Sequence, residues 1–349
     1  MASTPPKRGT RRTIHDVAEA AGVSFSTVSL VLNGKGNISR ATRERVFRIA
    51  NELGYSANPM ARALRGKSSR ILGVSMRSLD SDGVYSRPGV DYFARLFSSV
   101  WAAALNSGYG VVLTGRDHTL TEQLTPLWVD GYIIEDPLEE DPFVDRLIVA
   151  GVPIVTIGWP PGREDAVSWV STSDSTESTV VLQHLRACGS ETIALISGVE
   201  RTSWHMEGER TYLDFMHALG IEPRLIRVSE AEGVEGGERA GRMLLTDGPR
   251  PDAVLCHTGR HAAGVVAAAR EIGLRVPDDL LVAACNDSEP ARSAVPPITT
   301  IDLRPELLGE QAVELMLEIL AEAGRPRHRI IEGELLLRGS TSRGALDRA

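Results

Sequence analysis

Hydroxyl and amide side chains recur at helical spacing near the N-terminus. In the stretch SFSTVSLVLN, residues 24–33, the side chains of Ser26, Ser29, Leu30 and Asn33 fall at positions i, i+3, i+4 and i+7 of one helix face. Hydroxyl and amide groups donate hydrogen bonds to phosphate oxygens and so fix the register of a protein on a polyanion. The stretch contains no Lys or Arg, so positive charge that attracts a polyanion must come from neighbouring elements.

Three short helices are predicted to position this face. Thr13 and Asp16 form the capping-box pattern that begins a first helix, and Gly22 ends it where a left-handed residue is wanted. Ser24 is a good N-cap for a second helix to about residue 32, and Ser39 for a third to about residue 53. Helix, tight glycine turn, helix and supporting helix make a helix-turn-helix arrangement, although such pairs also occur in proteins that never contact DNA.

Charge is distributed unevenly along the chain. Residues 1–70 contain 13 Lys and Arg and 4 Asp and Glu, whereas all 349 residues contain 38 and 46 and carry a net charge of −8. The N-terminal region is therefore basic and the remainder acidic, which favours a polyanionic partner for the N-terminal region. A basic disordered tail without a function is the alternative, but this region is also strongly patterned.

These residues resemble the LacI/GalR family of bacterial transcription regulators. The family pattern D-V-A-x-x-A-G-V-S-x-x-T-V-S-x-x-L-N is matched within TIHDVAEAAGVSFSTVSLVLNG. The pattern L-G-Y-x-P-N-x-x-A-R-x-L is matched within TRERVFRIANELGYSANPMARALRG, except that Ala57 replaces the proline. The resemblance implies a sequence-specific DNA-binding regulator, most often a repressor, that binds a pseudo-palindromic operator as a dimer.

The resemblance also implies which residues contact DNA. Phe25, Ser26 and Leu30 correspond to positions that read base edges, and Thr27, Ser29 and Asn33 to positions that hold phosphates. Residues 58–65 resemble the hinge helix, which orders only when two copies lie in the minor groove. Leu64 falls where the family inserts a leucine wedge between base pairs, and a core leucine between domains is the alternative. The full expected set of DNA contacts is Thr13, Ser24, Phe25, Ser26, Thr27, Ser29, Leu30, Asn33, Asn58, Ala61, Arg62, Leu64 and Arg65.

Beyond residue 68, short apolar strands alternate with helical patterns. This alternation predicts a doubly wound parallel sheet with a ligand crevice at the carboxyl ends of its strands. Segments such as VDGYII, VPIVTIG and PPITTIDL resemble the periplasmic-binding-protein-like effector domain of the same family. We therefore expect an all-α helix-turn-helix head and an α/β core of two doubly wound parallel-sheet subdomains. The expected limits are 1–57 for the head, 58–70 for the hinge helix and linker, and 71–349 for the core, with subdomains of 71–170 plus 303–325 and 171–300.

The expected ligand cavity departs from the family pattern. Aligned by flanking residues, the candidate effector contacts are Tyr92, Trp159, Asp174, Arg210, Thr258 and Asn286. Tyr92 and Trp159 can enclose a flat or sugar-like ring, but they also fit interface aromatics that bind no ligand. Because several polar positions differ from the family norm, the effector is expected to be unusual (sugar- or nucleoside-like) or absent.

The sequence disfavours other classes of function. Three cysteines without a C-x-x-C pair fit free thiols in a reducing cytosol, and MASTPPKRGTRRT lacks the apolar segment of a secretory signal. No run approaches about 18 apolar residues, so a cytoplasmic protein without membrane contact is expected. The motif CHTGRH offers no second cluster at metal spacing, and motifs of nucleotide binding and hydrolysis are missing. We therefore expect no metal, no cofactor and no enzymatic activity.

Two alternatives to a regulator remain open at the level of sequence. A sugar- or nucleoside-binding module without DNA function is disfavoured by the basic N-terminal region, and a sugar-metabolising enzyme of similar topology by the missing catalytic motifs. The C-terminal RGSTSRGALDRA shows no leucine heptads, so a homodimer without a zipper-built tetramer is expected.

Overall fold

The chain forms two compact units, residues 1–69 and 70–349. The computed structural model describes residues 12–32, 35–55, 68–76, 91–115, 129–322 and 324–342. Within these ranges, no helix combines the length and apolar character that crossing a membrane requires.

The described residues of the N-terminal unit form three helices, α1 (Ile14–Ala21), α2 (Phe25–Leu32) and α3 (Arg40–Glu52). The predicted capping box is present, because the Asp16 amide donates to Thr13 Oγ1 and the Thr13 amide donates to Asp16 Oδ2. Gly22 has a φ of 62°, in the left-handed region, and this allows the tight turn into α2. The small core common to the three helices consists of Val17, Ala18, Ala21, Val28, Val31, Val46 and Ala50.

Two six-stranded sheets organise the second unit. The strands are β1 (Ile71–Ser75), β2 (Gly110–Thr114), β3 (Gly131–Glu135), β4 (Ile154–Ile157), β5 (Ser168–Thr172), β6 (Ile193–Ser197), β7 (Arg224–Arg227), β8 (Ala253–Cys256), β9 (Leu281–Ala284), β10 (Thr299–Asp302), β11 (His328–Ile331) and β12 (Glu334–Leu336). The first sheet has the order β11-β5-β4-β3-β1-β2 and parallel pairing. The second has the order β12-β10-β9-β8-β6-β7 and is parallel except for the antiparallel pair β10–β12.

Helices cover these sheets, as the predicted fold class requires. They are α4 (Asp91–Asn106), α5 (Pro142–Val149), α6 (Asp174–Ala187), α7 (Ser203–Ala218), α8 (Gly233–Thr246), α9 (Gly259–Glu271), α10 (Glu289–Ser293) and α11 (Pro305–Ala321), with short 3₁₀ turns at Glu230–Glu232 and Gly339–Thr341. Helix α11 packs on α4 and on strands of the first sheet, whereas α8 and α9 pack on each other beside the second. The prediction of a helix-turn-helix unit and an α/β core with two parallel-dominated sheets is confirmed.

Each sheet and its helices make one subdomain, and the chain crosses between them after residues 172, 302 and 331. The third crossing separates two consecutive short strands, because β11 pairs with β5 of the first sheet and β12 pairs with β10 of the second. The expected subdomain limits ended at residue 325 and therefore did not include these two strands.

Candidate functional sites

The outer surface of α2 presents the small polar and apolar side chains singled out in the sequence. Val28 and Val31 are completely buried in the helical core, so the opposite side of α2 faces outward. Ser24, Ser26 and Leu30 are exposed, whereas Phe25, Thr27 and Ser29 are half-buried, and Thr13 is exposed at the start of α1. The geometry therefore brings the expected base-reading and phosphate-holding positions of α2 onto one accessible surface.

Phe25 has a defined support on this surface. Its ring stacks on the ring of His15 from α1, with centroids 5.0 Å apart and an interplanar angle of 22°. Leu30 approaches the next loop, since a methyl group placed on Gly36 would lie 3.3 Å from Leu30 Cδ1. Both apolar side chains are therefore held by contacts to neighbouring elements.

Arginines of α3 contribute to structure as well as to charge. Arg43 donates to the carbonyl oxygen of Gly36 at 2.8 Å and so fixes the loop between α2 and α3. Arg40 pairs with Glu44 at 2.8 Å on the exposed face of the helix. An ion pair of this exposed kind is worth little energy and can be exchanged for a phosphate contact at small cost.

Six of the expected DNA contacts lie outside the residues that the structure describes. They are Asn33, Asn58, Ala61, Arg62, Leu64 and Arg65. Their assigned roles, including the leucine wedge, stay predictions.

A cleft lies between the two subdomains of the second unit. Its walls come from segments that follow the carboxyl ends of strands in both sheets, which is where doubly wound sheets bind ligands. The lining residues are Tyr92, Phe93, Glu135, Asp136, Ile157, Gly158, Ser171, Thr172, Asp174, Ser203, Trp204, Glu230, Thr258, Arg260, Asn286, Ser288, Leu303 and Leu308. We call this cleft the cavity.

Three buried polar atoms of the cavity wall have no hydrogen-bond partner among the described residues. They are Asp174 Oδ2, Ser203 Oγ and Ser288 Oγ. Buried polar groups are rarely left without a partner, so a ligand or ordered water that supplies hydrogen-bonding groups is expected here. The other oxygen of Asp174 accepts from the Thr172 hydroxyl at 2.5 Å, and burial raises the pKa of Asp174 to about 8.

Four of the six expected effector contacts line the cavity, namely Tyr92, Asp174, Thr258 and Asn286. Two of them also hold helix α9 in place. Thr258 Oγ1 accepts from the His261 amide at 3.2 Å, and Asn286 Oδ1 accepts from the Gly259 amide at 2.8 Å. Their positions at the cavity wall agree with the expectation, and their roles toward a ligand stay predictions.

The other two expected contacts, Arg210 and Trp159, do not line the cavity. Arg210 lies two turns into α7 on its outer face, where its side chain is 62% exposed and pairs with Glu207 at 2.7 Å. The expected placement of Arg210 is therefore wrong, because the outward face of α7 cannot reach the cleft. Trp159 is half-buried just beyond Gly158, whose backbone reaches the cavity while the indole of Trp159 does not.

The aromatic residue that sequence reasoning missed is Trp204, in the first turn of α7. Its ring contacts the rings of His205 and His257 at centroid distances of 4.9 and 5.4 Å. Its position soon after the carboxyl end of β6 is a signal that could have identified it.

A buried charge pair was also missed. Arg260 and Glu230 line the cavity, with 3.8 Å between guanidinium and carboxylate and both side chains only 6% exposed. Arg260 lies two residues after the predicted Thr258, but Glu230 lies in a 3₁₀ turn that no pattern indicated.

Ion pairs join the two subdomains at the edge of the cleft. Arg201 bonds Glu139 at 2.5 Å, and the Glu139 amide donates to the Arg201 carbonyl oxygen at 2.8 Å. Elsewhere on the cleft, Arg292 bonds Asp91 at 2.6 Å and the Glu289 amide donates to Asp91 Oδ1 at 3.1 Å. These contacts hold the subdomains in the orientation seen here.

Both units of the chain are similar to known proteins. Residues 13–58 match the bacterial regulatory proteins of the lacI family, and residues 182–341 match a periplasmic binding protein-like domain. The HTH-type transcriptional regulator CelR of Thermobifida fusca is 32% identical over 342 residues, covering 96% of this chain and 99% of that protein. Among solved structures, the lac repressor dimer bound to operator and the anti-inducer ONPF has a TM-score of 0.79 at 27% identity, covering 95% of this chain and 99% of that one. The CelR–cellobiose complex has a TM-score of 0.70 at 29% identity, covering 95% and 100%.

Proposed function

The chain belongs to the LacI family of bacterial regulatory proteins and is a DNA-binding transcriptional regulator, and we propose that it is a dimeric repressor controlled by a sugar-like effector. The operator is pseudo-palindromic, because two copies of one head read two related half-sites. A regulator of this kind acts where the bacterial chromosome lies, in the cytoplasm, and needs no catalytic step.

The observation that carries the DNA-binding proposal is the outward face of α2. Ser26 and Leu30 project from a helix that Ser24 caps at its N-terminus and whose Val28 and Val31 are buried. Phe25 rests on His15. Hydroxyl groups set register on phosphates, and apolar side chains suit the methyl group of thymine in the major groove. Because α2 carries no basic residue, long-range attraction comes from the basic residues elsewhere in the N-terminal region.

The cavity supports a polyhydroxylated effector. Tyr92 and Trp204 offer aromatic surface for the apolar face of a sugar ring, and Asp174, Ser203 and Ser288 offer unsatisfied polar atoms for its hydroxyl groups. The cellobiose complex of CelR supports the same class of ligand. A nucleoside also presents a flat ring and hydroxyl groups and is the second candidate.

Control of DNA binding by the effector follows from the position of the cavity between two subdomains. A ligand that contacts both subdomains binds better to one of their relative orientations and so shifts the population toward that orientation. In a dimer, such a shift changes the spacing of two heads and therefore operator affinity.

Two measurements on the full-length protein test this proposal. A thermal-shift screen of mono- and disaccharides, nucleosides and small acids is expected to give a concentration-dependent increase in Tm for a sugar. Selection from a random duplex library is expected to yield a pseudo-palindromic sequence whose affinity changes with that ligand. A ligand response without any duplex preference would indicate a small-molecule binding module instead.

A further inference from the structure

Beside the cavity, three side chains from separate segments converge on one point. His205 lies in the first turn of α7, Glu200 lies in the loop after β6, and Glu230 lies in the 3₁₀ turn. One ligand atom of each residue lies within 4.8 Å of the others, and His205 Nε2 is 3.6 Å from Glu230 Oε1. We call these residues the His205 cluster.

The imidazole of His205 is oriented with one nitrogen toward the cluster. Its Nδ1 shares a hydrogen bond of 3.1 Å with Thr202 Oγ1, which fixes the ring. Its Nε2 is buried and has no hydrogen-bond partner among the described residues. Water does not readily supply one, because the side chain is only 2% exposed. Buried polar atoms are rarely left without a partner, and a cation bound between this nitrogen and the two carboxylates would supply one.

The two carboxylates are also held in place. Glu200 accepts from the Ser229 hydroxyl at 2.8 Å and from the Glu230 amide at 3.2 Å. Glu230 directs Oε1 at His205 and Oε2 at Arg260, at 3.6 and 3.8 Å, so the guanidinium and the imidazole contact different oxygens. Supporting hydrogen bonds of this kind are typical of residues that orient metal ligands.

Gly198 keeps the space between the ligand atoms open. A methyl group at this position would lie 2.3 Å from His205 Nε2 and 2.8 Å from Glu200 Oε2. No side chain larger than hydrogen fits there without displacing His205 or Glu200.

We propose that the His205 cluster binds a divalent transition-metal ion, with Zn²⁺ as the best match. Zn²⁺ takes imidazole nitrogen and carboxylate oxygen at about 2.0–2.2 Å, which places tetrahedral ligand atoms about 3.4 Å apart. The 3.6 Å between His205 Nε2 and Glu230 Oε1 is close to this spacing, and Glu200 offers a carboxylate oxygen within 4.8 Å of both atoms. Two carboxylates with one guanidinium leave a negative charge that favours a cation.

The test is zinc binding by the metal-stripped full-length protein, measured by equilibrium dialysis and metal analysis. We expect one equivalent of Zn²⁺ that His217→Ala leaves unchanged, since His217 is an exposed histidine on the same helix. His205→Gln and Glu200→Gln are each expected to lower the affinity at least about tenfold. Gly198→Ala is expected to do the same without removing a ligand.

The far-UV spectrum and urea midpoint of each variant show that it is folded. If His205→Gln does not fold, Glu200→Gln and Gly198→Ala decide, because Glu200 is only half-buried. Failure to bind one equivalent, or binding that the cluster variants leave intact, overturns the proposal. The measurement involves neither DNA nor a sugar, so its outcome is independent of the proposed regulation.

Discussion

Arg292 bonds Asp91 at 2.6 Å and Asp287 at 2.8 Å, and so connects the first residue of α4 in one subdomain with the segment after β9 in the other. The pair with Asp287 is supported by Arg338, which bonds the other oxygen of Asp287 at 2.7 Å. Tyr92 follows Asp91 in the chain and Asn286 precedes Asp287, and both Tyr92 and Asn286 line the cavity. The residues expected to contact the ligand are therefore next in sequence to the residues that Arg292 binds.

Arg292→Ala is therefore expected to weaken binding of the ligand that the thermal-shift screen identifies. The variant removes two ion pairs, of which only the one with Asp91 joins the subdomains. The Arg292 side chain is 39% exposed, so the pair with Asp91 is worth about 1 kcal/mol or less, at most about a fivefold change in affinity. Titration calorimetry measures this change. Arg275→Ala removes a pair with Asp279 in the same subdomain, at a site that does not line the cavity, and is expected to leave the affinity unchanged. Equal effects of the two variants on affinity would contradict a link between the Arg292–Asp91 contact and ligand binding.

Trp204→Ala is expected to lower ligand affinity about tenfold or more, because an aromatic contact contributes about 0.5–1.5 kcal/mol beyond the area it buries. Trp159→Ala is the matched control, since Trp159 does not line the cavity. Calorimetry of both variants, with far-UV spectra to verify folding, tests the assignment. Loss of binding in Trp159→Ala alone would mean that Trp159, as expected from the sequence, contacts the ligand and Trp204 does not.

Leu30→Ala and Phe25→Ala are expected to change the operator that is selected from a random duplex library. If each side chain contacts a thymine methyl, its loss relaxes discrimination at one position of each half-site by about 1–3 kcal/mol. Phe47→Ala on α3 is a control of similar exposure, with 47% against 39% for Leu30. An unchanged selected sequence in both α2 variants would move specificity to DNA shape or to other residues.

Asp174 predicts how stability depends on pH in the absence of ligand. Burial raises its pKa from 3.8 to about 8, so the folded protein retains a proton that the unfolded chain loses. The stabilisation is complete below the unfolded pKa and decreases as the pH rises toward about 8. Burial also raises the pKa of Glu177, to about 7, and adds to the same trend.

Asp174→Asn removes its part of this trend and is expected to flatten the decrease in urea midpoint between about pH 5 and about pH 8. Asp214→Asn is the control, because Asp214 is 68% exposed on the surface of α7. A decrease in Asp174→Asn as steep as in the unchanged protein would mean that Asp174 is already ionised when buried.

The helical head was predictable because its determinants are local. Thr13, Asp16, Gly22 and Ser24 act within a few residues of their own positions, and the structure contains the capping box and left-handed glycine that they imply. The alternation of strands and helices likewise predicted the parallel sheets, since each strand and the helix that follows it form one local unit.

The cavity was predictable only in part, because its walls join segments far apart in the sequence. Alignment of flanking residues to the family pattern selected Asp174, Thr258 and Asn286, and all three line the cavity. It failed for Arg210, where the direction of the side chain around α7 decides the outcome and a shift of a few residues in alignment reverses it. The His205 cluster follows no known sequence motif, since residues 200, 205 and 230 meet only through the packing of α7 and the 3₁₀ turn.

The short strands β11 and β12 are consecutive in the chain but lie at the outer edges of different sheets. Gly333 between them donates to Glu177 at 2.8 Å, which anchors this connection to α6. Removal of residues 328–336 would therefore move one edge of each sheet inward, from the short strands β11 and β12 to β5 and β10, whose backbone hydrogen-bonding groups would then be open to pairing with other chains. Proteolysis near the C-terminus would thus make both subdomains prone to aggregation at once.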